Sequence, residues 1–430
     1  MGTPDARTSV LDDLAWRGMI ADHTDLDALR RDMAQGPITF YGGFDPTAAS
    51  LHFGNLVLLV TMRRLQLAGH KPIGLVGGAT GLVGDPSGRT SERTLQERDI
   101  IAGWVERIRS QVERYLSFDG DNAAIIVNNL DWTAQLSAID WLRDIGKHFS
   151  VNRMLAKEAV SARLEAGGIS YTEFSYQVMQ ALDYLELHRR YGCTLQLGGS
   201  DQWGNLTAGV DLIRRVEGAT VHAVATPLIT RPDGEKFGKS TGSTLWLDPA
   251  LTTPFAFYQW FLNTDDSVVG TYLRVFSFAS REEIEALEAE SRRQPEARTA
   301  QRALAREVTA LVHGDDEVAG AEAASAAVFG AGDLHALDEA TLTAAVAELP
   351  RAALRDGEAR TMIDLLLATE LARSRGDARR LIGEGGAYLN NRKVADPAAE
   401  PGDDDLLYGR WLVLRRGKRS PAVIEVVPGT

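Results

Sequence analysis

The first chemistry legible in the chain is anion chemistry. The segment YGGFDPTAASLHFGN (41–55) runs an apolar strand into a glycine-containing turn and opens a helix near Gly54. Backbone N–H groups and the helix dipole at such a turn form an anion site, with His52 at its mouth. Far downstream, KFGKS (236–240) sets Lys236 and Lys239 three residues apart around Phe237 and Gly238, beside Ser240 and after the turn signal RPDGE. A loop carrying two ammonium groups can close over a triphosphate and neutralise the charge that builds on a departing pyrophosphate. Between them, in EFSYQVMQALDYL, Tyr176, Gln180 and Asp183 fall at i, i+4 and i+7 on one polar helical face, leaving Phe174, Val178, Met179 and Leu182 to pack elsewhere. Taken singly, these patterns also describe a solvated histidine, a charged surface loop and a wet helix face. Their conjunction carries the weight.

The elements that must position these residues follow from periodicity. The first half alternates short apolar runs with longer helical patterns, as a parallel α/β sheet does. Strands are expected at ITFYGGF (38–44), PIGLVGG (72–78), AAIIVNN (123–129), TLQLGG (194–199) and VHAVATPLI (221–229). Leu56, Leu59, Val60 and the run 63–67 follow a 3.6-residue period, as do Ile139, Leu142 and Ile145. After Leu247 the pattern is helical only, through PFAFYQWFL, the charged run 281–293 and the segment 301–312. The alanine-rich stretch 321–353 is marginally periodic, and Asp356, Gly357 and Glu358 read as an exposed hinge. The expected fold is α/β: a Rossmann-like parallel-sheet catalytic domain over 1–245, an α-helical domain over 246–320, a linker over 321–357 and a small α+β domain over 358–430.

Composition bounds the class. A chain of 430 residues with 44% apolar, 24% charged and 7% aromatic residues is the mixture of a globular protein of two or three domains. No run approaches the length of a spanning helix, and the N-terminus lacks the basic start and apolar stretch of a signal peptide. Cys193 is the single cysteine, which leaves no intrachain disulfide and no thiolate metal cage and fits a reducing, cytoplasmic setting. The formal charge of -13 argues against a polyanionic partner. That charge is unevenly spread: from residue 358 onward 12 Lys and Arg stand against 11 Asp and Glu, and this tail includes the basic RRGKR at 415–419.

HFGN (52–55) and KFGKS resemble, in order and separation, the two signatures of class I aminoacyl-tRNA synthetases. YGGFDPTAASLHFGN, LVGGATGLVGDPSGR, GKHFSVN, FSYQVMQALDY, LGGSDQWGN and KFGKS together resemble segments of the tyrosyl-tRNA synthetase family, in that family's order, over nearly the whole chain. The resemblance implies tyrosine activation with ATP, with His52, Asn55, Lys236, Lys239 and Ser240 as the catalytic set. It implies that Tyr41 and Asp183 hold the phenolic hydroxyl of tyrosine, that Tyr176, Gln180 and Asp85 hold its ammonium, and that Gln202 lies near its carboxylate. Gly43, Asp45, His52, Gly54 and Asn55 would flank the nucleotide, Gly199 and Asp201 its ribose, and Arg89 and Arg93 would join Lys236 and Lys239 on the phosphates. Mg²⁺ would arrive on the ATP phosphates, with no dedicated protein metal site. The tail is similar to a small RNA-binding domain shared with a ribosomal small-subunit protein, which implies tRNA(Tyr) contacts by Arg373, Arg375, Arg379, Arg380, Arg392, Lys393, Arg415, Arg416, Lys418 and Arg419. The family also implies a homodimer with its interface near 131–151.

One departure stands out. The first signature usually ends in a second histidine, and Asn55 occupies that place. An amide keeps an N–H donor but neither carries a positive charge nor shuttles a proton. Two alternatives remain at this stage: a class I synthetase for tryptophan, against which the Asp183 and Tyr41 pair speaks, and a non-catalytic RNA-binding relative, against which His52, Lys236, Lys239 and Asp85 speak.

Overall fold

A computed structural model describes residues 6–87, 96–229, 244–330, 332–347, 349–355, 361–417 and 420–427. The chain divides into two compact units, Met1–Asp248 with Asp265–Ala289, and Pro249–Thr264 with Glu290–Thr430. No helix among the described residues is long and apolar enough to cross a membrane.

The first unit is built on a six-stranded sheet. Its strands are β1 (Asp22–His23), β2 (Thr39–Phe44), β3 (Lys71–Val76), β4 (Ile125–Asn128), β5 (Cys193–Gly199) and β6 (His222–Thr226), in the spatial order β1, β6, β5, β2, β3, β4. All pairings are parallel except that of β1 with β6. The chain steps outward from β2 through β3 to β4, then returns to the other side of β2 for β5 and β6. The sheet therefore reverses its winding between β2 and β5, and the crevice beyond the carboxyl ends of these strands is where such folds bind ligands. The parallel strands are largely buried, near-continuous apolar runs, which is why all five are visible in sequence.

Two helices close over that crevice. Phe53–Leu67 begins with a reciprocal cap and buries Leu56, Leu59 and Val60. Tyr171–Tyr191 is N-capped by Ser170, whose hydroxyl accepts from the Glu173 N–H at 3.3 Å. It packs into a core with Tyr41, Ile73, Leu75, Trp132, Leu182 and Leu185. The polar face of Tyr171–Tyr191 is turned inward: Tyr176 and Asp183 are 5% and 2% exposed. The expected helix around Ile139, Leu142 and Ile145 is instead a short turn, Ala138–Asp140, leading into a π-helical segment, Trp141–Ile145. Only Ile145 is buried there, whereas Ile139 and Leu142 are 67% and 56% exposed.

The second unit joins the helices Pro254–Leu262, Thr299–His313, Asp315–Val328 and Glu339–Ala347 to a five-stranded sheet. That sheet holds β7 (Arg351–Arg355), β8 (Ala387–Leu389), β9 (Arg392–Lys393), β10 (Trp411–Arg416) and β11 (Ser420–Val427), ordered β7, β11, β10, β8, β9. The stretch 321–357 is thus not a linker. It carries most of one helix, the whole of another, and β7, which pairs in parallel with β11 from Arg351 against Val423 to Arg355 against Val427. Ala321, Ala324 and Ala327 are small because their helix packs closely, so the alanines mark a core face. Val328, Leu342 and Val346 share one core with Trp411, Val413 and Val423, so the helical part and the C-terminal sheet form one body. The expected hinge at 356–358 lies outside the described residues.

Candidate active site

The His52 turn is organised by its own side chains. Nδ1 of His52 accepts the Gly54 N–H at 3.0 Å, and the His52 N–H donates to Oδ1 of Asn55 at 3.0 Å. This is a capping box, with both orphan donors satisfied. Asn55 is therefore a structural cap, a role that needs an acceptor and no charge. Because Nδ1 accepts, the ring proton of neutral His52 sits on Nε2. Burial lowers the His52 pKa and so favours that neutral form. His52 offers one neutral N–H donor at the mouth of the turn. A side chain at Gly54 would run into the imidazole, 2.9 Å from its Cε1.

The described chain resumes after 243 beside this turn. Phe53 donates its N–H to the Leu245 carbonyl at 2.8 Å, and Leu247 donates to the Leu51 carbonyl at 2.9 Å. Trp246 stands edge-on to the His52 ring. Gln111, buried in the helix Arg98–Glu113, accepts the Leu51 N–H at 2.8 Å and fixes the other side of the turn.

In the middle of β2, Tyr41 is 2% exposed, and its hydroxyl has no hydrogen-bond partner among the described residues. Asp183 is turned toward the same interior. Its two oxygens accept Nε1–H of Trp132 at 2.8 Å and Nδ2–H of Asn129 at 2.9 Å. Burial pushes the Asp183 carboxyl up to about 7, against the opposing effect of those two donors. Burial, followed by the Asp183 charge, also holds the Tyr41 hydroxyl far above its ordinary value. A buried phenol donor and a buried carboxylate acceptor side by side are what a ligand hydroxyl requires.

Tyr176 reaches Asp45. Its hydroxyl donates to Asp45 at 2.6 Å, and Thr80 donates to the other Asp45 oxygen at 2.6 Å. The Tyr176 pKa is raised by burial first and then by Asp45, Asp85 and Asp183. Those three carboxylates give the cleft a negative field suited to an ammonium group. Asp85 is held by the Gln202 amide and by the Ser87 N–H at 2.9 Å. Gln202 itself accepts from Asn205 at 2.9 Å. Gln180 is half-buried between Tyr176 and Asp183 on its helix. At the end of β5, an Asp201 carboxylate oxygen lies so close over Gly199 that a Cβ there would approach it to 2.8 Å. Gly43 is exposed on β2.

The topology thus brings Tyr41, Gly43, Asp45, His52, Gly54, Asn55, Asp85, Tyr176, Gln180, Asp183, Gly199, Asp201 and Gln202 to the carboxyl ends of β2, β3 and β5 and the helices around them. Arg89, Arg93, Lys236, Lys239, Ser240, Lys418 and Arg419 lie outside the described residues. Four neighbours escaped the sequence reading: Thr80, Asn129, Trp132 and Gln196. Gln196, the register partner of Tyr41, is 1% exposed, with neither amide atom bonded among the described residues. A glutamine inside the apolar run TLQLGG was its one available signal.

Arg375, Arg379 and Arg380 on the helix Arg375–Gly383, Arg373 just before it, and Arg392 and Lys393 on β9 are exposed. Arg375 and Arg380 are paired with Asp364 and Asp377 at 3.0 Å each. Arg415, expected among the tRNA contacts, is instead buried. It is 5% exposed, stacks on Tyr388 at 4.1 Å and donates to the Gly417 carbonyl. Arg416 is partly turned inward, on the Leu371 carbonyl at 2.7 Å and Asp377 at 3.0 Å.

This sheet, its winding reversal and the His52 turn define a class I tRNA synthetase catalytic unit. The family model described as tRNA synthetases class I (W and Y) matches residues 33–330, and that of the tyrosine–tRNA ligase SYY-like C-terminal domain matches 341–424. The chain is 61% identical over 424 residues to the tyrosine–tRNA ligase of Streptomyces avermitilis, covering 98% of this chain and 100% of that one. It is 58% identical over 422 residues to that of Acidothermus cellulolyticus, covering 97% and 99%. The solved structure of a C-terminally truncated mitochondrial tyrosyl-tRNA synthetase from Aspergillus nidulans is similar at a TM-score of 0.66 and 30% identity, over 73% of this chain and 92% of that one. The chain belongs to the tyrosine–tRNA ligase family.

The raised Asp183 pKa has a consequence for stability. The folded value, about 7, lies above the ordinary carboxylate value of 3.8. The protonated form's contribution is therefore complete below the unfolded pKa and is lost as pH rises through 7. Asp183→Asn removes this dependence. Its stability deficit against the parent should shrink by about 2.5 kcal/mol between pH 5 and pH 8, at ~1.4 kcal/mol per pKa unit over the roughly two units below the folded value. Thermal unfolding of both proteins across that range measures it, and a pH-independent difference would contradict the buried, protonatable carboxyl.

Proposed function

We propose that this chain activates L-tyrosine with ATP, forming tyrosyl-adenylate and pyrophosphate, and then transfers tyrosine to the 3'-terminal adenosine of tRNA(Tyr). The observation that carries the reading is the buried Tyr41 hydroxyl next to the buried Asp183 carboxyl, a donor and an acceptor matched to a phenol. Tyr176, Gln180 and Asp85 hold the ammonium, with Gln202 next to them toward the carboxylate. Gly43, Asp45, His52, Gly54, Gly199 and Asp201 flank the nucleotide, and Lys236, Lys239, Ser240, Arg89 and Arg93 serve its phosphates. The substrate carboxylate attacks the α-phosphorus in line and pyrophosphate leaves. Later the terminal ribose hydroxyl attacks the adenylate carbonyl. No protein nucleophile is needed, so the residues act by positioning and by donating to developing charge. Mg²⁺ travels on the ATP phosphates. The reaction belongs in the cytoplasm, where tRNA is charged.

The test is amino-acid-dependent ATP–pyrophosphate exchange with all twenty amino acids and no RNA. Exchange driven by tyrosine alone is expected. Exchange driven by tryptophan would overturn the side-chain assignment, and silence throughout would overturn the activity.

Arg379, Arg392 and Lys393 are the exposed cations best placed to contact tRNA phosphates. Reversing all three to glutamate should leave pyrophosphate exchange unchanged, raise the KM for tRNA about tenfold or more, and flatten its salt dependence, because each lost phosphate contact removes a released counterion. An unchanged KM for tRNA would move the RNA surface elsewhere.

A homodimer is supported by an apolar face within 130–155. Leu130, Ile139, Leu142, Val151 and Leu155 are all more than a third exposed. Several exposed large apolar side chains within so short a stretch favour an interaction site. Ile139→Asp with Leu142→Asp should yield a monomer in sedimentation at micromolar concentration, and a persistent dimer would place the interface elsewhere.

A further inference from the structure

A single file of hydrogen bonds runs from the side-chain end of the tyrosine site to its nucleotide end, and its middle member belongs to neither. Asn129 is wholly buried, and its Oδ1 accepts the Ala79 N–H at 2.7 Å. That acceptance fixes the amide orientation, so both Nδ2 protons point the other way. They go to Asp183 at 2.9 Å and to Oγ1 of Thr80 at 3.0 Å. With its acceptor side used, the Thr80 hydroxyl proton is directed to Asp45 at 2.6 Å. Asp45 takes the Tyr176 hydroxyl on its other oxygen at 2.6 Å. Every donor and acceptor direction is forced by its neighbour. Thr80 and Asn129 are 2% and 0% exposed, which shields the bond between them from water, while Asp45 is half-buried. Space is committed to the arrangement too. A Cβ on Gly77 would come to 2.0 Å from an Asp45 oxygen and 2.3 Å from Thr80 Oγ1, so only glycine lets the loop after β3 pass the bond.

We propose that Thr80 is a positioning residue that makes the phenol-reading Asp183–Asn129 pair and the nucleotide-side Asp45–Tyr176 pair one hydrogen-bonded unit, setting Asp45 for adenylate formation. The proposal rests on the placement of Asp45 and Asp183 given under Proposed function. Buried chains of this kind behave as units whose members are not energetically independent. Threonine supplies what the position demands, a hydroxyl that accepts and donates at once beside a methyl that fills the core.

The experiment uses the full chain and pyrophosphate exchange. Thr80→Val keeps the shape and removes the hydroxyl, Thr80→Ser keeps the hydroxyl, and Thr80→Ala replaces the valine variant if that fails to fold. The expected result is a loss of about tenfold in kcat for Thr80→Val with a less than threefold change in the KM for tyrosine, and return to within about twofold of the parent for Thr80→Ser. Combined with Asp45→Asn, Thr80→Val should add little further loss, because it acts through Asp45. Parent-like kcat in the valine variant, equal losses in the valine and serine variants, or losses that simply multiply with Asp45→Asn would each overturn the link. A silent Asp45→Asn would overturn the placement of Asp45 itself, whereas a damaging Asp45→Asn beside a silent Thr80→Val would overturn the link alone.

Discussion

Replacing Asp183 with alanine should collapse the preference for tyrosine over phenylalanine from about 10⁵ toward 10² or less. Tyrosyl-tRNA synthetases are themselves the reference case for that starting figure. Discrimination of this size arises because phenylalanine leaves buried polar groups unpaired, and on the proposed placement those groups are the Tyr41 hydroxyl and the Asp183 carboxyl. Without Asp183 the phenol loses its acceptor, and Asn129 and Trp132 lose theirs. Tyrosine then forfeits its advantage while phenylalanine loses little. Asparagine at 183 should fare only slightly better, since an amide has one oxygen for two incoming N–H donors. The measurement is kcat/KM in pyrophosphate exchange with each amino acid. An unchanged ratio would remove Asp183 from the side-chain site.

The second large effect is expected at the downstream signature. Lys236→Ala and Lys239→Ala should each slow adenylate formation about 10²- to 10³-fold, the range for removing one donor aimed at developing charge. The affinity for ATP should change only a few-fold, because the pyrophosphate gains its extra charge on the way to the transition state. Single-turnover adenylate formation over a range of ATP concentrations separates rate from binding. Parallel losses in both would mark the lysines as ground-state contacts. Leu245 and Leu247 are bonded to the His52 turn.

Much of the fold was legible before any coordinates. The five parallel strands announce themselves as short apolar runs and fall within a few residues of their expected places. The polar stripe of Tyr176, Gln180 and Asp183 has a helical period and lies on a helix. Two readings failed for instructive reasons. The alanine-rich stretch 321–353 looked weakly amphipathic because its buried face is made of small side chains, yet it is a packed part of the second unit. Arg415 looked like part of a basic patch, but the strand alternation of β10 turns it toward Tyr388.

What the sequence by itself determined is the kind of element at each position and the residues able to do chemistry, because strand and helix periods, caps and glycine turns are encoded by neighbours a few places apart. The role of Asn55 is of this local kind, since a capping box joins residues only three apart, although recognising it required the backbone geometry. Partnership was decided by the tertiary structure alone. Asp183 meets Trp132 and Asn129 from 51 and 54 residues away, and Tyr176 meets Asp45 from 131. Such contacts depend on strand order and register, which bring distant segments to the crevice between β2 and β5, and no local pattern specifies which polar group will stand opposite which. The same burial turned Asp183 from an ordinary surface-type carboxylate into one that titrates near 7, a property that exists only once the fold has removed it from water.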